Sequence, residues 1–186
     1  GQGTIGLEII ESLKNVDVII AAIGGGGLIS GLCVALKEKY PDIKIIGVQS
    51  SNSASMIESK KNRKLTTVPN RFTIADGIDV KTPGKLTFEI VKKYVDKMIT
   101  VTDVEIAEAM FILLERGRIV SEPAGAAPVA GLLSGKLSLK GKRVVPIVCG
   151  GNVDMSLMNK LVTRGLLSAG RIVRLIIGLK ESTGAL

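Results

Sequence analysis

Four consecutive glycines, Gly24, Gly25, Gly26 and Gly27, close an apolar run in the segment VDVIIAAIGGGGLISGL, Val16 to Leu32. Ile19 to Ile23 reads as a buried strand, and Leu28 opens a helical pattern. A strand that ends in glycines and opens a helix gathers several backbone N–H groups and the positive end of the helix dipole at one spot, which suits a phosphate. Each glycine costs about 0.5–1 kcal/mol relative to alanine in regular structure, so four together ask for a close approach that side chains would block. A glycine-rich turn that binds nothing is the other reading of the same letters. The class of phosphate can be narrowed. A Walker loop needs Gly-Lys-Ser/Thr at its end, whereas here Leu28, Ile29 and Ser30 follow. A dinucleotide fingerprint demands Gly or Ala where Ile29 or Ser30 stands, and the next strand ends in Gln49 and Ser50 with no acid for a ribose. A single terminal phosphate held by main-chain donors is what remains.

A second turn repeats the pattern. VVPIVCGGN is a buried strand that runs into Cys149, Gly150 and Gly151. Ligands of open α/β sheets bind at the carboxyl ends of strands, so both turns can face one crevice, with Cys149 pointing into it. A free Cys is also commonly a small buried hydrophobe. The chain has no His, so proton transfer falls to Lys, carboxylate, Cys, Tyr or a cofactor.

The elements that must position these turns follow from the periodicity. Helices are expected at 3–14, from Leu28 to Lys39, near 53–60 and at 84–94, with strands at 18–23, 43–49 and over KMITVT. Strand, helix and strand within about thirty residues form a βαβ unit and imply a parallel sheet. Residues 61–83 read as an ordered loop containing the turn-like TIADGIDVKTPG. Thr102 and Glu105 form a capping box for a helix expected to run to Arg116 and stop at Gly117. Pro123 sits at a first-turn position of a small-residue helix, expected to be interrupted at Pro128 and to end at Gly135. A strand at 143–148 and a helix at 153–168 follow, and then Ile172 to Leu179 reads as a further strand. The expected division is therefore 1–168 for one domain and 169–186 for a linker and the first strand of another.

Composition bounds the partners. Of 186 residues, 46% are hydrophobic and only 3% aromatic, so stacking surfaces for single-stranded nucleic acid are scarce. The net charge of +8 is spread along the chain among acidic residues, which speaks against a nucleic-acid partner. No run reaches the roughly 18 apolar residues of a membrane span. Two isolated cysteines, Cys33 and Cys149, fit a reducing, cytoplasmic compartment and neither a zinc pattern nor a disulfide framework.

Taken in order, GQGTIGLEI, GGGGLISG, IIGVQS, TIADGIDVKTPG, SEPAGA and CGGNVD resemble the fold-type-II pyridoxal-phosphate enzymes, most closely the threonine dehydratase and serine racemase group. The resemblance implies an α/β fold, the three-layer parallel sheet of the tryptophan-synthase-β-like enzymes, present here as a partial domain. It implies pyridoxal 5'-phosphate as cofactor, with Gly24, Gly25, Gly26, Gly27 and the Leu28 amide on the phosphate. Cys149 would face the pyridine nitrogen, where the dehydratases commonly have Ser, and Gly150 would adjoin the cofactor. Glu122 corresponds to a family acid near the cofactor; as a residue beside Pro123 it also reads as a carboxylate on the helix dipole.

The activity implied is α,β-elimination of L-threonine, and of L-serine, to 2-oxobutanoate or pyruvate and ammonia, by a homo-oligomer. Serine racemase or another β-eliminating relative is the alternative within the class, and a non-catalytic binding or regulatory module the alternative outside it. The family's Schiff-base Lys, in a Ser-x-Lys-x-Arg setting before the glycine loop, is absent from these residues, so the chain alone is expected to be inactive. SLKGKR, Ser138 to Arg143, follows the loop and reads as an exposed turn. Some relatives hold a divalent ion where this chain has Gln49, Ser53 and Ser55, so no metal site is expected. The tail RIVRLIIGLKESTGAL resembles the start of an ACT-type regulatory domain.

Overall fold

The computed structural model describes residues 1–168, 170–173, 175 and 178. The strand expected at Ile172 to Leu179, and the ACT-like tail with it, falls largely outside the described residues.

The periodicities become helix α1 (Thr4–Ser12), strand β1 (Val18–Ala22), α2 (Gly27–Leu36), β2 (Lys44–Ser50), α3 (Ser55–Asn62), α4 (Lys85–Tyr94), β3 (Lys97–Val101), α5 (Asp103–Ile112), α6 (Pro123–Leu133), β4 (Val144–Pro146) and α7 (Met155–Ser168). The sheet order is β3-β2-β1-β4, and every pairing is parallel. Residue alternation divides the core between two faces. Ile19, Ala21, Ile23 and Ile45 meet Ile29, Leu32 and Leu36 of α2 and Phe88 and Val91 of α4. Val18, Ile20, Ala22, Ile46 and Val48 meet α5, α6 and Leu161 of α7 on the other. Helices therefore cover both faces of a parallel sheet, the three-layer arrangement that the alternation implies.

The long segment between α3 and α4 is an ordered loop held by side chains. Asn52 Nδ2 donates to the Phe72 carbonyl at 2.7 Å, and Thr73 Oγ1 donates to Asp103 Oδ1 at 2.6 Å. It contains a 3₁₀ turn, Asp76–Ile78, within the expected turn sequence.

Three boundaries differ from the sequence expectation. The helix of α6 is not interrupted at Pro128, which lies inside it. The proline costs one backbone bond and a steric conflict, about 3 kcal/mol in an isolated helix. Here residues from Pro123 to Gly131 are buried between the sheet and α5, and that packing holds the axis. Helix α5 carries the expected reciprocal capping box, but its last turn widens into a π-turn over Leu113–Gly117, and the left-handed stop is Arg118 at φ 56°, not Gly117. Strand β4 is only three residues long and ends at Pro146, which has no N–H to continue a ladder.

Asp96 ties the base of the sheet together. Its carboxylate accepts from Lys37 Nζ at 2.7 Å and from the Ile45 amide at 2.8 Å, with Lys44 Nζ at 3.3 Å. Burial alone pushes this carboxyl up, but the bonds from Lys37, Ile45 and Lys44 outweigh it and hold the group below its ordinary 3.8. A folded-state value below the unfolded one means that the unfolded chain binds more protons between the two, so stability rises with pH there. Asp96 thus stabilises fully above about pH 4 and loses its contribution as pH falls through the folded value. Asp96→Asn is expected to cost about 1 kcal/mol at pH 7 and to flatten the acid limb of the stability curve, as read by urea unfolding from pH 2 to 7.

Candidate functional site

At the carboxyl end of β1 the chain leaves the sheet through the four glycines. Gly26 is the N-cap of α2 and takes a left-handed φ of 93°. Ser30 N donates to the Gly26 carbonyl at 3.0 Å, the first bond of the helix. Among the described residues, no protein acceptor takes the N–H of Gly24, Gly25, Gly26, Gly27 or Leu28. These donors border a cavity of about 250 Å³ lined by Ala22, residues 24–28, Gly77, Ile78, Glu122, Ala124 and Cys149.

The glycines differ in what excludes a side chain. A Cβ on Gly24 would lie 3.1 Å from Ile78 Cα, and one on Gly26 would lie 2.7 Å from Met56 Cε and 2.9 Å from Thr87 Cβ. A Cβ on Gly27 would meet no protein atom within 4 Å, and one on Gly25 would only touch Val80. Packing explains Gly24 and Gly26. It does not explain Gly27, which lines the cavity.

The second turn approaches from β4. Cys149 lines the same cavity, as the sequence pattern implies. Partial burial first, and then the negative charge of Glu122, raise its thiol above the ordinary 9.0. It is therefore a protonated, weak S–H donor at neutral pH. Cys33, a residue of α2, is fully buried, and burial pushes its thiol up to about 12. An aromatic disulfide reagent is expected to label Cys149 in the native protein and to leave Cys33 untouched until unfolding. Equal labelling rates for the two thiols would contradict this placement.

Glu122 is the N-cap of α6, with extended backbone, and its side chain does not cap its own helix. It turns to the second glycine turn instead. Asn152 N donates to Glu122 Oε2 at 3.3 Å, and Glu122 N donates to the Gly150 carbonyl at 3.2 Å. Gly150, at φ 77°, lies outside the cavity lining; a Cβ there would overlap the Glu122 carboxylate. Its part is to let Glu122 close over the turn. Gly77, Ile78 and Ala124 complete the cavity, and only the turn-like letters around Gly77 signal that in the sequence.

Of the positions Gln49, Ser53 and Ser55, the first and the last hold side-chain hydrogen bonds. Gln49 is fully buried and bonded to backbone at three places, and Ser55 Oγ donates to the Val80 carbonyl at 2.5 Å. Ser53 Oγ is enclosed beside Asp79 without hydrogen-bond geometry. The Lys81 ammonium, bonded to Asp79, holds its carboxyl below the ordinary value. No group of three His, Cys, Asp or Glu side chains suited to a metal ion occurs among the described residues.

Residues 1–150 match the family described as pyridoxal-phosphate dependent enzyme. L-threonine ammonia-lyase of Thermotoga maritima is 48% identical over 186 residues, covering 100% of this chain and 46% of that protein. The catabolic L-threonine dehydratase TdcB of Staphylococcus aureus is 50% identical over 169 residues, 89% of this chain and 49% of that protein. Among solved structures, threonine deaminase isoform 2 from Solanum lycopersicum superposes with a TM-score of 0.82 at 35% identity, over 88% of this chain and 48% of that one. Maize serine racemase does so with a TM-score of 0.80 at 36% identity, over 88% and 52%. The chain spans about half the length of the curated relatives it matches.

Proposed function

Because the chain belongs to the pyridoxal-phosphate dependent enzyme family, we propose that it forms the phosphate-binding part of a threonine ammonia-lyase, which converts L-threonine, and L-serine, to the 2-oxo acid and ammonia. The observation that carries this reading is the meeting of the free 24–28 amides, Cys149 and Glu122 around one cavity at the carboxyl ends of parallel strands. The residues present fit the cofactor. Main-chain donors without side chains suit a phosphate dianion, and a protonated thiol suits a neutral ring nitrogen. When bound, pyridoxal phosphate supplies an electron sink for a carbanion at the amino acid's α-carbon.

The chain's own residues position and exclude. Gly24, Gly25, Gly26, Gly27 and Leu28 would hold the phosphate by N–H donation, and the α2 dipole would favour its charge. Cys149 would donate its S–H to the ring nitrogen. Glu122 holds the Gly150–Asn152 turn, and so Cys149, at a fixed depth. Ala22, Ile78 and Ala124 give the cavity an apolar side. Among the described residues no lysine lines it; under this reading the lysine that removes the α-proton comes from another part of the full protein, and the chain alone would release no ammonia. The partners under this reading are the hydroxy amino acid and further copies of the polypeptide in the cytoplasm.

The test is product analysis with the full protein that carries this chain, pyridoxal phosphate and each amino acid. Ammonia with 2-oxobutanoate from L-threonine is the expected result. D-serine from L-serine without ammonia would favour the racemase reading, which the likeness to maize serine racemase supports. Neither product would favour a non-catalytic module.

A further inference from the structure

A run of four glycines does not hold its own peptide planes, since each can rotate into conformations closed to other residues. Two side chains from outside the cavity act on this loop. Gln49, fully buried at the end of β2, donates from Nε2 to the Ile23 carbonyl at 3.2 Å and to the Ser53 carbonyl at 3.3 Å, while its Oε1 accepts from Ile57 N at 3.0 Å. The two carbonyls and one amide fix which end of the side-chain amide is which. Thr87, in the first turn of α4, donates to the Gly25 carbonyl at 2.5 Å, and the Gly84 amide approaches the same oxygen at 3.4 Å.

The C=O of one residue and the N–H of the next share a trans peptide plane and point in opposite directions. No peptide described here is cis. Gln49, Thr87 and Gly84 are not among the residues lining the cavity. A carbonyl drawn towards Gln49 or Thr87 therefore turns the N–H of Gly24 or Gly26 the other way. The Ser30 amide does the same for Gly27 by holding the Gly26 carbonyl.

We propose that Gln49 and Thr87 are positioning residues, clamps that touch no ligand but set the peptide planes of the phosphate cradle so that its amides face the phosphate before it arrives. The proposal rests on the reading of residues 24–28 as that cradle. Preorganised donors bind an anion without the loop ordering that a free glycine run would need. The clamps also fasten the loop to α3 and α4, elements remote from it in sequence. Gln49 reaches the α3 backbone at Ile57, and Thr87 belongs to α4.

The test compares affinities for pyridoxal phosphate and for pyridoxal, which lacks the phosphate, in the full protein carrying this chain. Thr87→Val keeps the shape and removes the hydroxyl, Thr87→Ser keeps the hydroxyl, and Gln49→Glu keeps the acceptor for Ile57 and removes both donations. Thr87→Val and Gln49→Glu are each expected to weaken pyridoxal phosphate roughly tenfold, leaving pyridoxal unchanged, with Thr87→Ser near the wild type. Thr87→Val is nearly isosteric and part-exposed, so it decides the matter even where Gln49→Glu does not fold. If the wild type prefers pyridoxal phosphate and Thr87→Val keeps that preference in full, the clamp is wrong and the cradle stands. If the wild type binds the two compounds equally, the cradle fails and the clamp with it.

Discussion

Gly26→Ala is expected to lower the affinity for pyridoxal phosphate by at least tenfold and to destabilise the protein by about 2 kcal/mol. The residue sits at φ 93° and ψ 5°, where an L side chain is strained. Its new methyl would come within 2.7 Å of Met56 Cε and 2.9 Å of Thr87 Cβ. Met56 can swing its terminal methyl aside; Thr87 Cβ is fixed to α4 and cannot. Relief therefore comes from the loop, which rotates the 25–26 and 26–27 peptides away from their present planes. The Thr87 bond to the Gly25 carbonyl and the Ser30 bond to the Gly26 carbonyl weaken together. Gly26→Asn, which enters the left-handed region more readily, is expected to recover part of the stability and little of the affinity. Equilibrium titration with pyridoxal phosphate alongside thermal unfolding separates the two effects.

Gly125→Ala is expected to cost about 3 kcal/mol, a fall in Tm of roughly 6–12 °C for a domain of this size. Alanine is the better helix former by about 1 kcal/mol, so propensity alone gives the opposite sign. A Cβ on Gly125 would overlap the carbonyl oxygen of Cys149 and lie 2.8 Å from Ser121 Oγ. The neighbour in the way is backbone, and backbone at the end of β4 cannot turn aside as a side chain can. Displacing it moves Cys149 in the cavity, so cofactor affinity is expected to fall with stability. A neutral or stabilised Gly125→Ala would mean that α6 does not press on the second turn.

These two glycines show where the sequence is informative. Gly26 belongs to a run whose strand-glycine-helix spacing is local, and the glycine turn that borders the cavity is legible from that spacing alone. Cys149 is approached in the same way, since an apolar run leads to it and to Gly150, although the strand itself stops at Pro146. Gly125 is one small residue among many in PAGAAPVAGLL, and nothing local says that it, and not Gly131, faces the Cys149 main chain. Gly77 and Ile78 reach the cavity from a loop some fifty residues beyond the glycines, a contact set by tertiary packing. Pro128 misleads in the other direction. The local rule says that it breaks a helix, and burial on the sheet and α5 outweighs the rule. Glu122 beside Pro123 suggests a helix-dipole carboxylate, yet its side chain serves the neighbouring turn through Asn152. The roles of Gln49 and Thr87 depend on hydrogen bonds between elements 26 and 62 residues apart, which periodicity does not encode.

If the glycine run is kept open for a phosphate, Gly27→Ala separates ligand binding from packing. A methyl at Gly27 meets no protein atom within 4 Å, and α2 begins there with no positive φ to preserve. Packing therefore predicts an unchanged or slightly raised Tm. The measurement is the paired Tm and pyridoxal phosphate dissociation constant of wild type and Gly27→Ala in the full protein that carries this chain. The expected result is an unchanged or slightly raised Tm without ligand and an affinity at least tenfold weaker, because the methyl takes space that only a ligand would fill. Equal affinity at equal stability would contradict it, and the glycines would then be a turn that binds nothing.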